Sequence, residues 1–279
     1  MNFLVHNEKY FTSKEPVLMA DNRSYRYGDG LFETIKVING NIILQEYHFE
    51  RLFSGLRLLK FEIPKLFTAG KIRDTILALC KKNNCEKLAR VRLSVFRGHG
   101  GLYDGEGQLQ YLIECWPLDE TVNRLNEKGL VIDIFPDARK SCDVFSNLKS
   151  TSYLLYVMAA IHAKENKLND CFVMNMHERI CDTTIANIFR IKDSQIFTSP
   201  LSEGCVAGVL RRYLIERIPG TGYEMREENL TVKDLENADE VFLTNTIKGI
   251  RWVKQFRNST FSNNITADVN NQFIVPLFS

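Results

Sequence analysis

Long apolar runs are missing from this chain: the longest, VLMA and YLLYVMAAI, fall well short of the roughly 20 residues that cross a bilayer. Its opening segment, MNFLVHNEKYF, has no secretory h-region, so the expected location is cytoplasmic and no membrane partner is expected. An excess of one charge is missing as well. Lys and Arg number 36 against 34 Asp and Glu, a formal charge of +2, without the basic surplus that a phosphate backbone demands. Nucleic acid is therefore not an expected partner. No C-x-x-C pair occurs among Cys80, Cys85, Cys115, Cys142, Cys171, Cys181 and Cys205, and their number is odd. That argues against a zinc site and against a disulfide framework; the expectation is small core thiols in a reducing compartment and no metal. Internal repeats and low-complexity tracts are absent too.

What is present is enough apolar material, 44% of 279 residues, for one large core or two modest ones. FLVHNEKYF and LFETIKVINGNIIL alternate apolar and polar residues as strands do, and Asn39-Gly40 supplies the positive-φ pair of a two-residue hairpin. From Gln45 to Leu59, Phe49, Leu52, Phe53, Leu56 and Leu59 recur at helical spacing, leaving Glu46, Glu50, Arg51 and Arg57 largely off that face. A second helix is predicted from Ala69 to Lys82 on Ile72, Ile76, Leu79 and Cys80. ARVRLSVF and QLQYLIECW read as strands joined by RGHGGLYDGEG. Those glycines are not a phosphate loop, because a second strand rather than a helix N-terminus follows them.

A boundary between Val122 and Asp133 divides the chain into an N-terminal α+β lobe, 1–122, and a C-terminal α+β lobe, 123–279. The second lobe should hold the strand GLVIDIFPD, a helix from about Thr151 to Lys164, the strands DCFVMNM, RICDTT, NIFRIKD and SQIFTS, and a helix from Gly208 to Arg217. A short helix near Asp234, the strand EVFLTNTI and one amphipathic helix at the chain end complete it. Meandering strands with separate helices indicate α+β rather than a Rossmann arrangement.

The segment YRYGDGLFETIKVINGNIILQEYHFERL resembles the N-terminal signature of class IV aminotransferases and their lyase relatives, the fold-type IV group of pyridoxal-phosphate enzymes. The remaining pieces follow in that family's order: SNLKSTSYLLYVMAA, DTTIANIF, TSPLSEGCVAGVLR and FLTNTIKGI. The resemblance implies a two-lobe fold like that of D-amino-acid aminotransferase, pyridoxal 5'-phosphate held between the lobes, a small-molecule amino substrate and a homodimer. It places the Schiff-base lysine at Lys149, whose amine must lose its proton to attack the aldehyde, as desolvation near other positive charge allows.

Asp182 stands where the family usually carries glutamate facing the pyridinium nitrogen, with Glu178 as the fallback. Arg51, in HFERL, matches the phosphate-binding arginine. Val209 and Leu210 match the helix start whose backbone N–H groups face the phosphate, with Leu210 where a threonine is common. Asn245 and Thr246 are further donor candidates. Phe32 and Arg92 are the candidate substrate contacts. RGHGGLYDG lacks the arginine-x-histidine clamp of D-amino-acid transaminases, FET replaces the FEG of branched-chain transaminases, and Leu102 occupies the place of a second arginine expected in the lyases. The glycine loop and the stretch Asn245 to Ile250 lie nearest the lyase branch. The expected activity is that of 4-amino-4-deoxychorismate lyase, which releases pyruvate and leaves 4-aminobenzoate for folate synthesis. An amino-acid transaminase, branched-chain or D-amino acid, is the alternative, followed by a non-catalytic pyridoxal-phosphate binder.

Overall fold

Two tight reversals shape the start of the chain. Asn7 and Glu8, at φ 47° and 70°, turn β1 (Phe3–His6) into β2 (Lys9–Thr12). After the short helix α1 (Arg23–Tyr27), Asn39 and Gly40, at φ 49° and 75°, turn β3 (Gly30–Ile38) into β4 (Asn41–Ile42), as a two-residue hairpin requires. The helices α2 (Gln45–Leu58) and α3 (Ala69–Lys82) follow, and then β5 (Leu88–Arg97) and β6 (Leu109–Pro117). The computed structural model describes residues 2–104 and 108–279. They form two compact units, Met1–Val122 with Lys149–Tyr153, and Asn123–Leu148 with Leu154–Ser279.

In the first unit a six-stranded antiparallel sheet runs β2-β1-β6-β5-β3-β4 among the described residues. The RGHGGLYDGEG connection joins β5 to β6, and residues 105–107 of it lie outside the described residues. The helix α3 starts where Thr68 Oγ1 accepts from Lys71 N at 3.2 Å, and it buries Ile72, Ile76, Leu79 and Cys80, each aliphatic side chain contributing about 1.5–3 kcal/mol. β3 departs from the expected alternation, for eight of its nine residues are buried, Glu33 and Lys36 among them.

In the second unit β7 (Leu130–Ile134) precedes α4 (Leu154–Glu165). Next come β8 (Asp170–Met174), β9 (Ile180–Thr183), β10 (Asn187–Lys192), β11 (Gln195–Thr198) and α5 (Val209–Arg217). The rest is β12 (Glu224–Glu227), α6 (Val232–Glu236), β13 (Glu240–Asn245), β14 (Gly249–Phe256), β15 (Ser259–Thr260) and α7 (Asn264–Val269). Among the described residues the sheet order is β12-β11-β10-β13-β14-β7-β8-β9, with β15 on β14. Phe172 meets Phe256 edge-on at 5.2 Å, and Phe189 stacks on Phe242 at 4.8 Å. β12 and β14 are not expected from the sequence; the charged and polar residues of RWVKQF give β14 no strict alternation of burial.

Three corrections follow. Lys149–Tyr153 groups with the first unit instead of the C-terminal lobe, because Phe32 N donates to Lys149 O at 2.9 Å and Thr151 N to Gly30 O at 2.9 Å. For the same reason α4 begins at Leu154 and not near Thr151. The chain end is helical but not one regular helix. A π-helical stretch, Asn270–Ile274, separates α7 from α8 (Val275–Leu277), where Pro276 lacks the N–H that a regular turn would use. Among the described residues no helix is long and apolar enough to cross a membrane.

The start of α7 has no side-chain cap of its own. Glu240 of β13 serves instead: it is buried and accepts from Ile265 N at 2.9 Å, Thr266 N at 2.8 Å and Thr266 Oγ1 at 2.7 Å. Glu240→Ala should therefore destabilise the protein by about 2–3 kcal/mol, since it strands buried donors. Urea denaturation would measure this, with Glu240→Gln losing less because it keeps one acceptor oxygen.

Candidate active site

In the first unit, β3 and the Lys149 segment lie side by side. Leu31 and Ser150 form a bridge, and Thr151 Oγ1 donates to Gly28 O at 2.7 Å. This pairing fixes the Lys149 backbone against Phe32. Lys149 Nζ then sits 4.5 Å from the Phe32 ring centroid and 5.7 Å from that of Tyr153. The two rings meet edge-on at 5.4 Å. Arg92, paired across the strands with Thr34 and Glu114, brings its guanidinium carbon to 3.9 Å from the same Phe32 centroid. The structure therefore brings together Lys149, Phe32 and Arg92.

One residue further along β3, Glu33 points into a second cluster. Arg51 reaches from α2 and donates from Nε to Glu33 Oε1 at 2.8 Å and from Nη2 to Oε2, a bidentate pair. His48, one turn earlier, places Nδ1 at 2.7 Å from Glu33 Oε2. Arg51 is thus half-buried and held in one orientation, not a solvated residue of the polar face. Burial pushes the Glu33 carboxyl up, but the Arg51 charge and the His48 hydrogen bond outweigh it and bring it down to about 2. Burial lowers His48 against the pull of Glu33. A neutral ring donating from Nδ1 accounts for this, and its buried Nε2 has no hydrogen-bond partner among the described residues.

In the second unit Asp182 is buried at the middle of a donor set. Its Oδ2 accepts from Lys140 Nζ at 2.8 Å, Tyr156 Oη at 2.8 Å and Val206 N at 2.9 Å, and its Oδ1 accepts from Asn187 Nδ2 at 3.0 Å. Glu178, the fallback, is exposed and paired with Arg139 at 2.9 Å, so it does not share this environment. Asn187 also donates to Val206 O at 2.9 Å, which fixes the turn ahead of α5. Gly208 caps that helix without any side-chain bond, and a Cβ there would come within 1.8 Å of Asn187 Oδ1. Gly208 therefore offers the first N–H groups of α5 no side-chain acceptor, the kind of helix start that an outside acceptor can serve. Leu210 is buried, so its side chain packs in the core while its amide stays at the helix start.

Asn245 ends β13 and Thr246 begins the turn after it. Asn245 Oδ1 accepts from Ile247 N at 3.1 Å and Lys248 N at 2.8 Å, so its acceptor serves the turn. Beside them Thr244, paired with Asn187 across the strands, has a buried Oγ1 without a hydrogen-bond partner among the described residues. Sequence reasoning missed Glu33, His48, Lys140, Tyr156 and Thr244. Glu33 and His48 were visible as polar residues inside apolar patterns; nothing local marks Lys140 or Tyr156, whose partner is 42 or 26 residues away.

Because its native value is depressed, Glu33 adds stability that is complete above its ordinary 4.5 and lost as pH falls toward about 2. His48 adds stability lost below its ordinary 6.5. Arg51→Met should destabilise by about 3–5 kcal/mol at neutral pH, by leaving a buried carboxylate unpaired. The gap from the wild type should close as pH approaches 2, as thermal melts across that range would reveal.

Comparison with known proteins identifies the family and the fold. The family model for amino-transferase class IV matches residues 30–256. Aminodeoxychorismate lyase of Vibrio harveyi is 27% identical over 82% of this chain and 83% of its own. D-alanine aminotransferase of Listeria monocytogenes is 24% identical over 88% and 84%. The crystal structure of the branched-chain aminotransferase of Thermoproteus uzoniensis superposes with a TM-score of 0.89 at 20% identity, covering 99% of this chain and 95% of the other, which carries the fold alone. The chain belongs to the class IV aminotransferases, the fold-type IV enzymes that work with pyridoxal 5'-phosphate.

Proposed function

We propose that the chain is a 4-amino-4-deoxychorismate lyase, eliminating pyruvate to leave 4-aminobenzoate, with Lys149 as its catalytic amine. The observation that carries this reading is the Lys149 amine against the Phe32 and Tyr153 rings, beside the Arg92 guanidinium. Flat apolar walls suit a six-membered substrate ring, and the guanidinium suits its carboxylate. Similarity to aminodeoxychorismate lyases adds to it.

Each unit, taken by itself, carries donors suited to part of the cofactor. When bound, pyridoxal 5'-phosphate supplies an aldehyde carbon for the substrate amine and a ring that withdraws electrons from the neighbouring bond. Arg51 would bind a phosphate, prealigned by Glu33. The amides of Val209 and Leu210, backed by the α5 dipole, would add donors that need no threonine at 210. Asn245 and Thr246 are the further donors, with Thr244 Oγ1 behind them. Asp182 would hold the proton on the ring nitrogen through Oδ1, since Oδ2 already takes three donors and Oδ1 has one lone pair to spare. Lys149 Nζ would take the substrate proton as pyruvate leaves, and Phe32 and Arg92 would orient the substrate.

One observation favours an amino-acid transaminase instead. Leu102 is exposed and brings no second guanidinium, so Arg92 alone would hold a single carboxylate, as an α-amino acid needs. Incubation with aminodeoxychorismate should yield 4-aminobenzoate and pyruvate in equal amounts. Exchange of L- or D-amino acids with keto acids, without 4-aminobenzoate, would replace the lyase by the transaminase. Lys149→Ala should lower either turnover by at least about 10²–10⁴-fold; a wild-type rate would remove Lys149 from the chemistry.

The homodimer also belongs to this proposal. Tyr156, Ala159 and Ala163 make the buried side of α4, while Leu154, Val157, Met158 and Ile161 recur at helical spacing on an exposed side, Leu154 at 73%. An apolar helix stripe in water marks an association surface. Light scattering after size exclusion should give twice the chain mass, and Val157→Asp with Ile161→Asp should give one chain mass; a monomeric wild type would contradict this.

A further inference from the structure

The spacing of the cysteines argued against metal, yet folding brings three of them together. Cys80 lies in the last turn of α3, Cys85 just beyond it, and Cys115 on β6. Their sulfurs all lie within 4.8 Å of one another, and those of Cys85 and Cys115 are 3.6 Å apart. All three residues are buried, at 0%, 3% and 4% exposure. Metal–sulfur bonds of about 2.3 Å set ligand sulfurs roughly 3.8–4.0 Å apart, so adjustments of under about 1 Å would complete a coordination sphere.

We propose that Cys80, Cys85 and Cys115 form a binding site for one thiophilic d10 cation, Cu(I) or Zn(II). Three soft sulfurs without a carboxylate exclude the hard cations magnesium, calcium and manganese. Among the described residues no fourth His, Cys, Asp or Glu joins the group. That favours Cu(I), which three thiolates satisfy, over Zn(II), whose structural sites take four ligands.

One further observation supports the site. Asn83 Nδ2 donates to Cys115 Sγ at 3.1 Å, while its Oδ1 accepts from Phe3 N and its Nδ2 donates to Phe3 O, each at 2.8 Å. The amide is therefore locked so that an N–H faces the sulfur, the role of an outer-sphere donor to a bound thiolate. Binding would form three metal–sulfur bonds, break the corresponding S–H bonds and release the protons to buffer. The bound ion would tie the end of α3 to β6 and, through Asn83, to β1. None of these residues belongs to the proposed catalytic machinery, so this inference stands apart from the choice between lyase and transaminase.

The test is anaerobic titration of the reduced full-length protein with Cu(I) and, separately, Zn(II), each against a chromophoric chelator, with the thermal midpoint recorded before and after. One equivalent of an ion should bind and raise the midpoint. Cys85→Ser and Cys115→Ser should lose that affinity, and Asn83→Leu should weaken it by about 10–100-fold. Cys142→Ser, outside the triad, should bind as the wild type does. Unchanged affinity in folded Cys85→Ser and Cys115→Ser, or a wild type that takes up neither ion, overturns the site, as does a Cys85–Cys115 disulfide forming with peroxide in a protein that binds no ion. Should the serine variants fail to fold, X-ray absorption of the loaded wild type decides: three sulfurs at about 2.3 Å support the site, and a nitrogen and oxygen shell refutes it.

Discussion

A carboxylate withdrawn from water must be answered by donors or it destabilises everything around it, and both units are organised around that demand. In the second unit Asp182 gathers Lys140, Tyr156, Asn187 and Val206 N, and so fixes α4, β9, β10 and the turn into α5 by one set of bonds. In the first, Glu33 aligns Arg51 and His48. Glu240 does the same for α7. In each case the acid serves the fold, by holding its donors in one arrangement.

This demand also explains how an aspartate can serve at 182, the position proposed to face the cofactor's ring nitrogen, in place of a glutamate. The shorter side chain brings its oxygens near Val206 N and Asn187, so the strand end and the turn before α5 are joined through the same carboxylate. The oxygen facing Lys140 and Tyr156 is saturated, and the oxygen bonded by Asn187 retains capacity. A residue at 182 without a charge would leave Lys140 buried without its counter-ion.

Local pattern revealed the elements whose burial is one-sided. The α3 stripe of Ile72, Ile76, Leu79 and Cys80 was read residue for residue, and the Asn39-Gly40 turn followed from its φ requirement. The reading failed where long-range pairing decides: at β14, whose polar residues hide a strand between two neighbours, and at Lys149–Thr151, which pairs with β3 from far along the chain. The candidate site was legible through ordered motifs, yet its supporting residues were not. Lys140 is one of many lysines until Asp182 folds against it, and Cys80, Cys85 and Cys115 are scattered until α3 packs on β6.

The most direct measurement of the central claim, that Lys149 is the amine holding the cofactor, is borohydride reduction of the protein supplied with pyridoxal 5'-phosphate, followed by peptide mapping. A phosphopyridoxyl group on Lys149 alone is the expected result. Label on a different lysine, or no stable label, would contradict it.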